Sequence, residues 1–242
     1  MHIALISDIH ANLEALEAVL EDIEDRGVDM IGCLGDVVGY GCDPVACLDL
    51  VESKCRVKLV GNHEYVALGR IPSEDFNVFA SESIAWTKKQ LGDREIALME
   101  NYEIDTVIEN AYLVHASPLL PEEFLYILGS DAASAAFEVL EQNLCFFGHT
   151  HMPMIFSQAS EGQLRRQTGH SFLPDPEVRY LINVGSVGQP RDNDPRACYA
   201  IYDSDEGEVT YCRVEYDIKR TQDKMKRANA PSALIDRLAV GR

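Results

Sequence analysis

The stretch CFFGHTHMPM, residues 145–154, sets two histidines two positions apart directly behind a short apolar run. If the strand carries on through them, the alternation of side chains sends His149 and His151 out on one face. Histidine occurs only seven times in the 242 residues. A neighbouring pair at a strand end therefore calls for a shared partner.

The same arrangement recurs along the chain. "HIALIS" runs into Asp8, "MIGCLG" into Asp36, "RVKLVG" into Asn62, "AYLV" into His115 and "RYLINVG" into Ser186. Between several of these runs the period becomes helical. "NLEALEAVLEDIEDRG" puts Leu13, Leu16, Leu20 and Ile23 on one stripe, with Gly27 where a helix C-cap belongs. "DPVACLDLVESK" opens with Asp43 as N-cap and Pro44 in the first turn. "NVFASESIAWTKKQLG" and "SDAASAAFEVLEQN" have the same character.

Strand–helix alternation in the first third predicts a parallel sheet. Later stretches predict antiparallel hairpins: "IDTVIENAYLVH" with a Glu-Asn turn, "MIFSQASEGQLRRQT" with Ser-Glu-Gly, and "CYAIYDSDEGEVTYCRVEY" with Asp-Glu-Gly. The expectation is an α/β chain with mixed sheets, two of them packed face to face. No linker or repeat divides it, so residues 1–242 are expected to form one domain. Residues 217–242 read as helices broken at Pro231, a packing appendage or an oligomer contact.

Composition narrows the function. A net charge of −19 disfavours a long nucleic acid or an anionic membrane as partner, since both need a basic surface. Small anionic substrates remain compatible if a metal reverses the field locally. No apolar run reaches the roughly 20 residues that span a bilayer, and the start, "MHIALISDIHAN", lacks a signal peptide's basic region. Seven cysteines without a CxxC pair point to a reduced, cytoplasmic setting.

The polar clusters at the strand ends are chemically alike: Asp8-x-His10, Asp36, Asn62-His63-Glu64, His115 and His149-x-His151. The carboxyl edge of a sheet is where α/β proteins place their sites. Carboxylate, amide oxygen and imidazole without thiolate form a borderline-hard donor set, suited to manganese, iron, zinc, cobalt or nickel. Asp8, His10, Asp36, Asn62, His115, His149 and His151 are more donors than one open catalytic ion uses. They are enough for two ions, roughly 3.5–4 Å apart, that share a bridging carboxylate.

The motif order separates metal-hydrolase classes, because here DxH comes first and HxH late. "SDIH…GDVVGYG…GNHE…VHAS…GHTH" resembles the calcineurin-like metallophosphoesterase superfamily, with its signatures complete and in order over most of residues 1–190. "NVGSVGQPRD" (183–192) looks like the strand and turn that follow GHTH in small bacterial and archaeal phosphodiesterase-like members. The resemblance implies a four-layer α/β/β/α sandwich of two mixed sheets flanked by helices. It implies that Asp8, His10, Asp36 and His151 hold one divalent ion, manganese foremost. By the same resemblance Asp36, Asn62, His115 and His149 hold the other, with Asp36 bridging. His63 matches the family's general acid, and Glu64 stands where an acidic residue often orients it.

The expected activity is that of a phosphoesterase in which a metal-bridging hydroxide attacks phosphorus in line and His63 protonates the departing alkoxide. Phosphodiesters of a small substrate are favoured over monoesters. The protein phosphatases of the superfamily resemble GDxVDRG and RGNHE, whose arginines clamp phosphate. Here Tyr40 and Val60 stand at those positions, which argues against a protein-serine/threonine phosphatase. Arg191 is the candidate for a substitute anion contact, and Asn12 for a contact with substrate or bridging water. The alternative is a catalytically silent scaffold or regulatory protein that binds metal and phosphate on the same fold. Loss of His63 would mark that route, and His63 is present.

Overall fold

The computed structural model describes residues 1–74, 76–159 and 161–242. Its strands are β1 (His2–Ile6), β2 (Met30–Cys33), β3 (Val57–Lys58), β4 (Asp105–Ile108), β5 (Ala111–Val114) and β6 (Leu144–Phe147), followed by β7 (Met154–Gln158), β8 (Leu164–Gln167), β9 (Ser171–Phe172), β10 (Arg179–Asn183), β11 (Ala197–Asp203) and β12 (Val209–Val214). Among them run α1 (Leu13–Arg26), α2 (Pro44–Lys54), α3 (Asn62–Ala67), α4 (Val78–Lys88), α5 (Asp93–Glu100), α6 (Ser130–Val139), α7 (Ile218–Arg227) and α8 (Ser232–Asp236).

Two mixed six-stranded sheets result, in the orders β3-β2-β1-β11-β12-β9 and β4-β5-β6-β10-β7-β8. β1, β2 and β3 are parallel, as are β5, β6 and β10; antiparallel strands complete each sheet. Alternation along each strand assigns its two faces. Ile3 and Leu5 of β1 meet Phe146 of β6 and Ile182 of β10 between the sheets. Ala4 and Ile6 face outward and pack under Leu16, Val19 and Ile23 of α1. On the far side Cys145 and Phe147 of β6 lie under Ala133, Ala136 and Phe137 of α6. This is the four-layer α/β/β/α sandwich that the sequence led us to expect. Phe146 is fully buried, and truncating such a side chain to alanine costs about 3–5 kcal/mol.

Helix ends follow the local side-chain chemistry at α1 and α4 but not at α2. Asn12 caps α1 by accepting from Ala15 N–H, and Gly27 closes it at φ 64°. Asn77 caps α4 through the N–H groups of Phe79 and Ala80. Asp43 precedes α2, but its side chain makes no capping bond; its Oδ2 meets Lys224 Nζ of α7 at 2.5 Å instead. The Glu109–Asn110 turn has φ of 47° and 62°, as a tight hairpin between β4 and β5 requires. The Ser-Glu-Gly turn expected between β7 and β8 begins at Ser160, which lies outside the described residues.

The carboxyl-terminal segment packs against the edge of the future site. Met225, Leu234, Ile235 and Leu238 share an apolar cluster with Tyr40 and Ala80. Lys224 reaches two carboxylates at once, Asp43 and the buried Glu14 (2.9 Å). Among the described residues no helix is long and apolar enough to cross a membrane.

Candidate metal centre

The parallel strands β1, β2, β3, β5 and β6 release their chains at one end of the sandwich, where Asp8, Asp36, Asn62, His115 and His149 come next in the chain. Backbone bonds knit these loops together: Asp8 N–H donates to Gly35 O at 3.0 Å, His10 N–H to Asp36 O at 2.9 Å and Gly148 N–H to His115 O at 2.8 Å. The cost is local strain. Asp8, His10, Asp36, Tyr40, His149 and His151 all have φ between 50° and 64°. Non-glycine residues in that region cost about 1–3 kcal/mol each and cluster at functional sites.

The strand alternation assumed for His149 and His151 does not hold. β6 ends at Phe147, and both histidines sit on a left-handed loop beyond it. The loop sends them to different neighbours: His151 joins Asp8 and His10, while His149 joins Asp36 and His115. Two glycines permit the close packing. A Cβ at Gly148 would collide with Ser7 and Asp8, and one at Gly39 (φ 88°) with the His63 ring.

Three imidazoles are oriented by backbone carbonyls. His10 Nδ1–H donates to Val38 O (3.1 Å), His115 Nδ1–H to Leu34 O (2.9 Å) and His151 Nδ1–H to Gln189 O (2.7 Å). Each bond turns Nε2 toward the cluster, and in the neutral His10 and His151 it also fixes the tautomer that leaves Nε2 free to ligate. The aspartates divide their oxygens likewise. Asp8 Oδ2 accepts His149 N–H and Asp36 Oδ1 accepts His63 N–H, both at 2.9 Å. The remaining oxygens face the imidazoles. Asp8 Oδ1 lies 3.3 Å from His151 Nε2; Asp36 Oδ2 lies 3.7 Å from His10 Nε2 and 3.4 Å from His115 Nε2. His115 Nε2 is also 3.3 Å from Asn62 Oδ1.

These residues fit a metal. Buried polar atoms are normally hydrogen-bonded, yet Asp8 Oδ1 and His149 Nε2 are buried without any partner. The unprotonated Nε2 atoms of His10 and His151 face each other at 3.1 Å, an arrangement that a cation between or beside them would relieve. Asp36 Oδ2 stands between the two histidine groups, where a bridging ligand belongs.

Charge follows the geometry in the metal-free protein. Burial lowers His10, His149 and His151 well below the usual imidazole range, so they are neutral at pH 7. Burial would lower His115 too, but the carboxylates of Asp36 first, then Asp8 and Glu64, together outweigh it and raise His115 to about 9. Asp36 is correspondingly held well below the usual carboxylate range, burial notwithstanding, by His115 and His63. Burial raises Asp8 to about 7.

The remaining candidates divide. His63 is buried, edges onto His10 at 4.7 Å between ring centroids, and has an unpartnered Nδ1. Burial pushes it down to about 4, so it is neutral at pH 7 in this state. Glu64 does not orient it: its three hydrogen bonds come from the N–H groups of Asp36, Val38 and Gly61. Asn12 is not at the cleft either. Its amide donates to Gly188 O (2.8 Å) and Tyr216 OH (3.3 Å), and its oxygen accepts from Ala15 N and Thr221 Oγ1. With donors and acceptor spent on packing α1 against α7, it has nothing left for substrate. Arg191 does line the cleft, with Nε buried and unpaired and its guanidinium 5.7 Å from the Tyr40 ring.

The cleft holds about 270 Å³ and is lined also by Tyr40, Phe76, Asn77 and Tyr126. Phe76, Asn77 and Tyr126 belong to segments without a readable motif, and no local signal marks them. One wall is thus aromatic, and the floor is the histidine–aspartate cluster.

A family model described as the calcineurin-like phosphoesterase superfamily domain matches residues 1–207. The chain is 40% identical over 244 residues to an uncharacterized protein of Methanocaldococcus jannaschii, covering 99% of this chain and 98% of that one. It is similar to the crystal structure of a metallophosphoesterase from Sphaerobacter thermophilus, with a TM-score of 0.87 at 39% identity, covering 100% of this chain and 99% of that one. A hypothetical protein of Pyrococcus horikoshii shares the fold, with a TM-score of 0.78 at 19% identity, over 100% of this chain and 98% of that one. The order of the strand-end motifs, the two-sheet sandwich and the buried ligand clusters agree with these likenesses, and the chain belongs to the calcineurin-like phosphoesterase superfamily.

Proposed function

We propose that the protein is a dinuclear-metal phosphoesterase that hydrolyses phosphodiesters of a small substrate in a reducing, cytoplasmic compartment. The observation that carries this reading is the place of Asp36 Oδ2, within 3.7 Å of His10 Nε2 and 3.4 Å of His115 Nε2, between two otherwise separate ligand groups. Asp8, His10, Asp36 and His151 would hold one ion; Asp36, Asn62, His115 and His149 would hold the other. When bound, two divalent cations supply Lewis-acid charge that activates water and neutralises phosphoryl oxygens.

The chain's own groups do the rest. Arg191, at the cleft wall with a free Nε, donates to a nonbridging oxygen. His63 faces the cleft as proton donor to the leaving oxygen, and an arriving phosphate anion raises its pKa from the low value that burial imposes. Tyr40 and Val60 stand where protein phosphatases carry phosphate-clamping arginines, which favours an ester with one negative charge over a dianionic monoester. Cys33, Cys47, Cys55, Cys145, Cys198 and Cys212 are buried free thiols, in keeping with a reducing compartment.

The test is reconstitution of the metal-free protein with manganese, iron, zinc, cobalt or nickel, then assay on bis-p-nitrophenyl phosphate and p-nitrophenyl phosphate. Turnover of the diester in excess of the monoester, at two ions per chain, supports the proposal. Metal binding without turnover of either ester would replace it with the silent scaffold.

A further inference from the structure

Of the four imidazoles proposed to hold metal, three are locked by a hydrogen bond from Nδ1 to a backbone carbonyl; His149 is the exception. Among the described residues its ring nitrogens have no hydrogen-bond partner, and Nε2 is buried and orphaned. Only its backbone N–H is engaged, with Asp8 Oδ2. What fixes the ring is aromatic contact. The Tyr126 ring lies over it with centroids 3.9 Å apart and planes tilted by 32°, and the edge of His115 abuts it at 5.1 Å and 67°.

Tyr126 is not a core residue. It is 51% exposed, and it shares a loop with the exposed Leu125 and Leu128. A large aromatic side chain left half in water, with one face on a buried imidazole, is placed by that contact more than by burial of its own surface. We infer that Tyr126 is a positioning residue for the metal centre: its ring does for His149 what the carbonyls of Val38, Leu34 and Gln189 do for the other histidines. The inference rests on the proposed two-ion centre, and it makes the ion held by Asp36, Asn62, His115 and His149 the one that depends on Tyr126.

Partners that orient a ligating histidine typically change metal affinity by 10–100-fold, and an aromatic stack contributes toward the lower end of that range. Calorimetric titration of the metal-free protein with Mn²⁺ reads this without any substrate. Co²⁺ absorption spectra of the same variants report the geometry at the ion. For Tyr126→Ala the expected result is about 10-fold weaker binding of one equivalent, an altered Co²⁺ spectrum and an unchanged second equivalent. Tyr126→Phe, which keeps the ring, should restore wild-type affinity and spectrum.

Unchanged affinities in Tyr126→Ala would overturn the inference, and a raised KM with both affinities intact would assign Tyr126 to substrate contact instead. Equal weakening of both equivalents with a lowered Tm would make its role one of folding, which also overturns it. A wild-type protein that binds a single equivalent of Mn²⁺ would instead overturn the two-ion centre, whatever the variants do.

Discussion

The Glu64 carboxylate lies beneath the loop that carries Asp36: Oε2 accepts the Asp36 N–H at 2.9 Å, and Oε1 accepts the Val38 N–H at 3.0 Å. The same Oε2 takes Gly61 N–H at 2.8 Å, so one fully buried acid ties the Asp36 loop to the start of α3. Its effect on the centre is to hold the backbone of Asp36, which carries the proposed bridging oxygen.

Glu64→Gln should therefore act on stability and metal content together. The amide offers one acceptor oxygen and turns an NH₂ group toward backbone N–H donors. A loss of about 2–3 kcal/mol in unfolding free energy is expected, with lower metal content at equilibrium. If the variant kept its stability and its ions, and lost only rate on esters with poor leaving groups, Glu64 would be acting through His63 after all.

Asp36→Asn should weaken both ions at least about 100-fold, since a ligand counts for no less than the groups that orient ligands. A neutral amide bridges poorly and removes one of the two carboxylate charges. Elemental analysis after dialysis, alongside turnover, checks this; two tightly held ions with near-normal rate would refute the bridging role.

His149→Ala and His151→Ala should each lose mainly one ion, and a different one. The motivation is their divergence from one loop into separate clusters, His149 with Asp36 and His115, His151 with Asp8 and His10. Mn²⁺ titration of each variant in the presence of the other site's competitor ion distinguishes them. Loss of the same equivalent in both would sink the two-sided assignment.

His63→Ala should retain both ions and lose rate in proportion to the leaving group's need for a proton. General acid catalysis contributes about 10²–10⁴-fold, and an alkoxide requires it where a nitrophenolate does not. Rates on an alkyl and a nitrophenyl phosphodiester, at measured metal occupancy, decide the matter. Equal losses on both would make His63 a positioning group.

Metal uptake should release protons, chiefly from His115. Its pKa in the metal-free protein is raised to about 9, so it is protonated at pH 7 and the ion must displace that proton. Apparent affinity should rise with pH, by up to about tenfold per pH unit for a single displaced proton, and level off above about pH 9. The stability of the metal-free protein should run the opposite way. A raised His115 pKa stabilises the fold fully below the unfolded value of about 6.5, and that contribution is lost as pH climbs through 9. Proton release measured in two buffers of different ionisation enthalpy, with Tm of metal-free protein between pH 6 and 10, tests both signs.

The sequence by itself determined the kinds of element and the donor atoms, because both are written in local spacing. The stripe of α1 and its Gly27 cap, Pro44 in the first turn of α2 and the Glu109–Asn110 turn are all short-range. Motif order likewise named the seven metal-binding candidates. What only the tertiary structure decided depends on partners far along the chain. The His149–His151 loop takes its left-handed form while His149 N–H is held by Asp8, 141 positions away, so strand alternation could not describe it. Asn12 is spent on Gly188, Tyr216 and Thr221, Asp43 on Lys224, and Glu64 on the Asp36 loop; each is a polar side chain whose local pattern fits two uses. Tyr126 lies in a loop with no period at all, and its contact with His149 exists only because the second sheet brings the ends of β5 and β6 side by side. Local sequence fixes which groups can bond. Which of the competing long-range bonds wins is set by burial, where an unpaired polar atom costs more than a strained backbone.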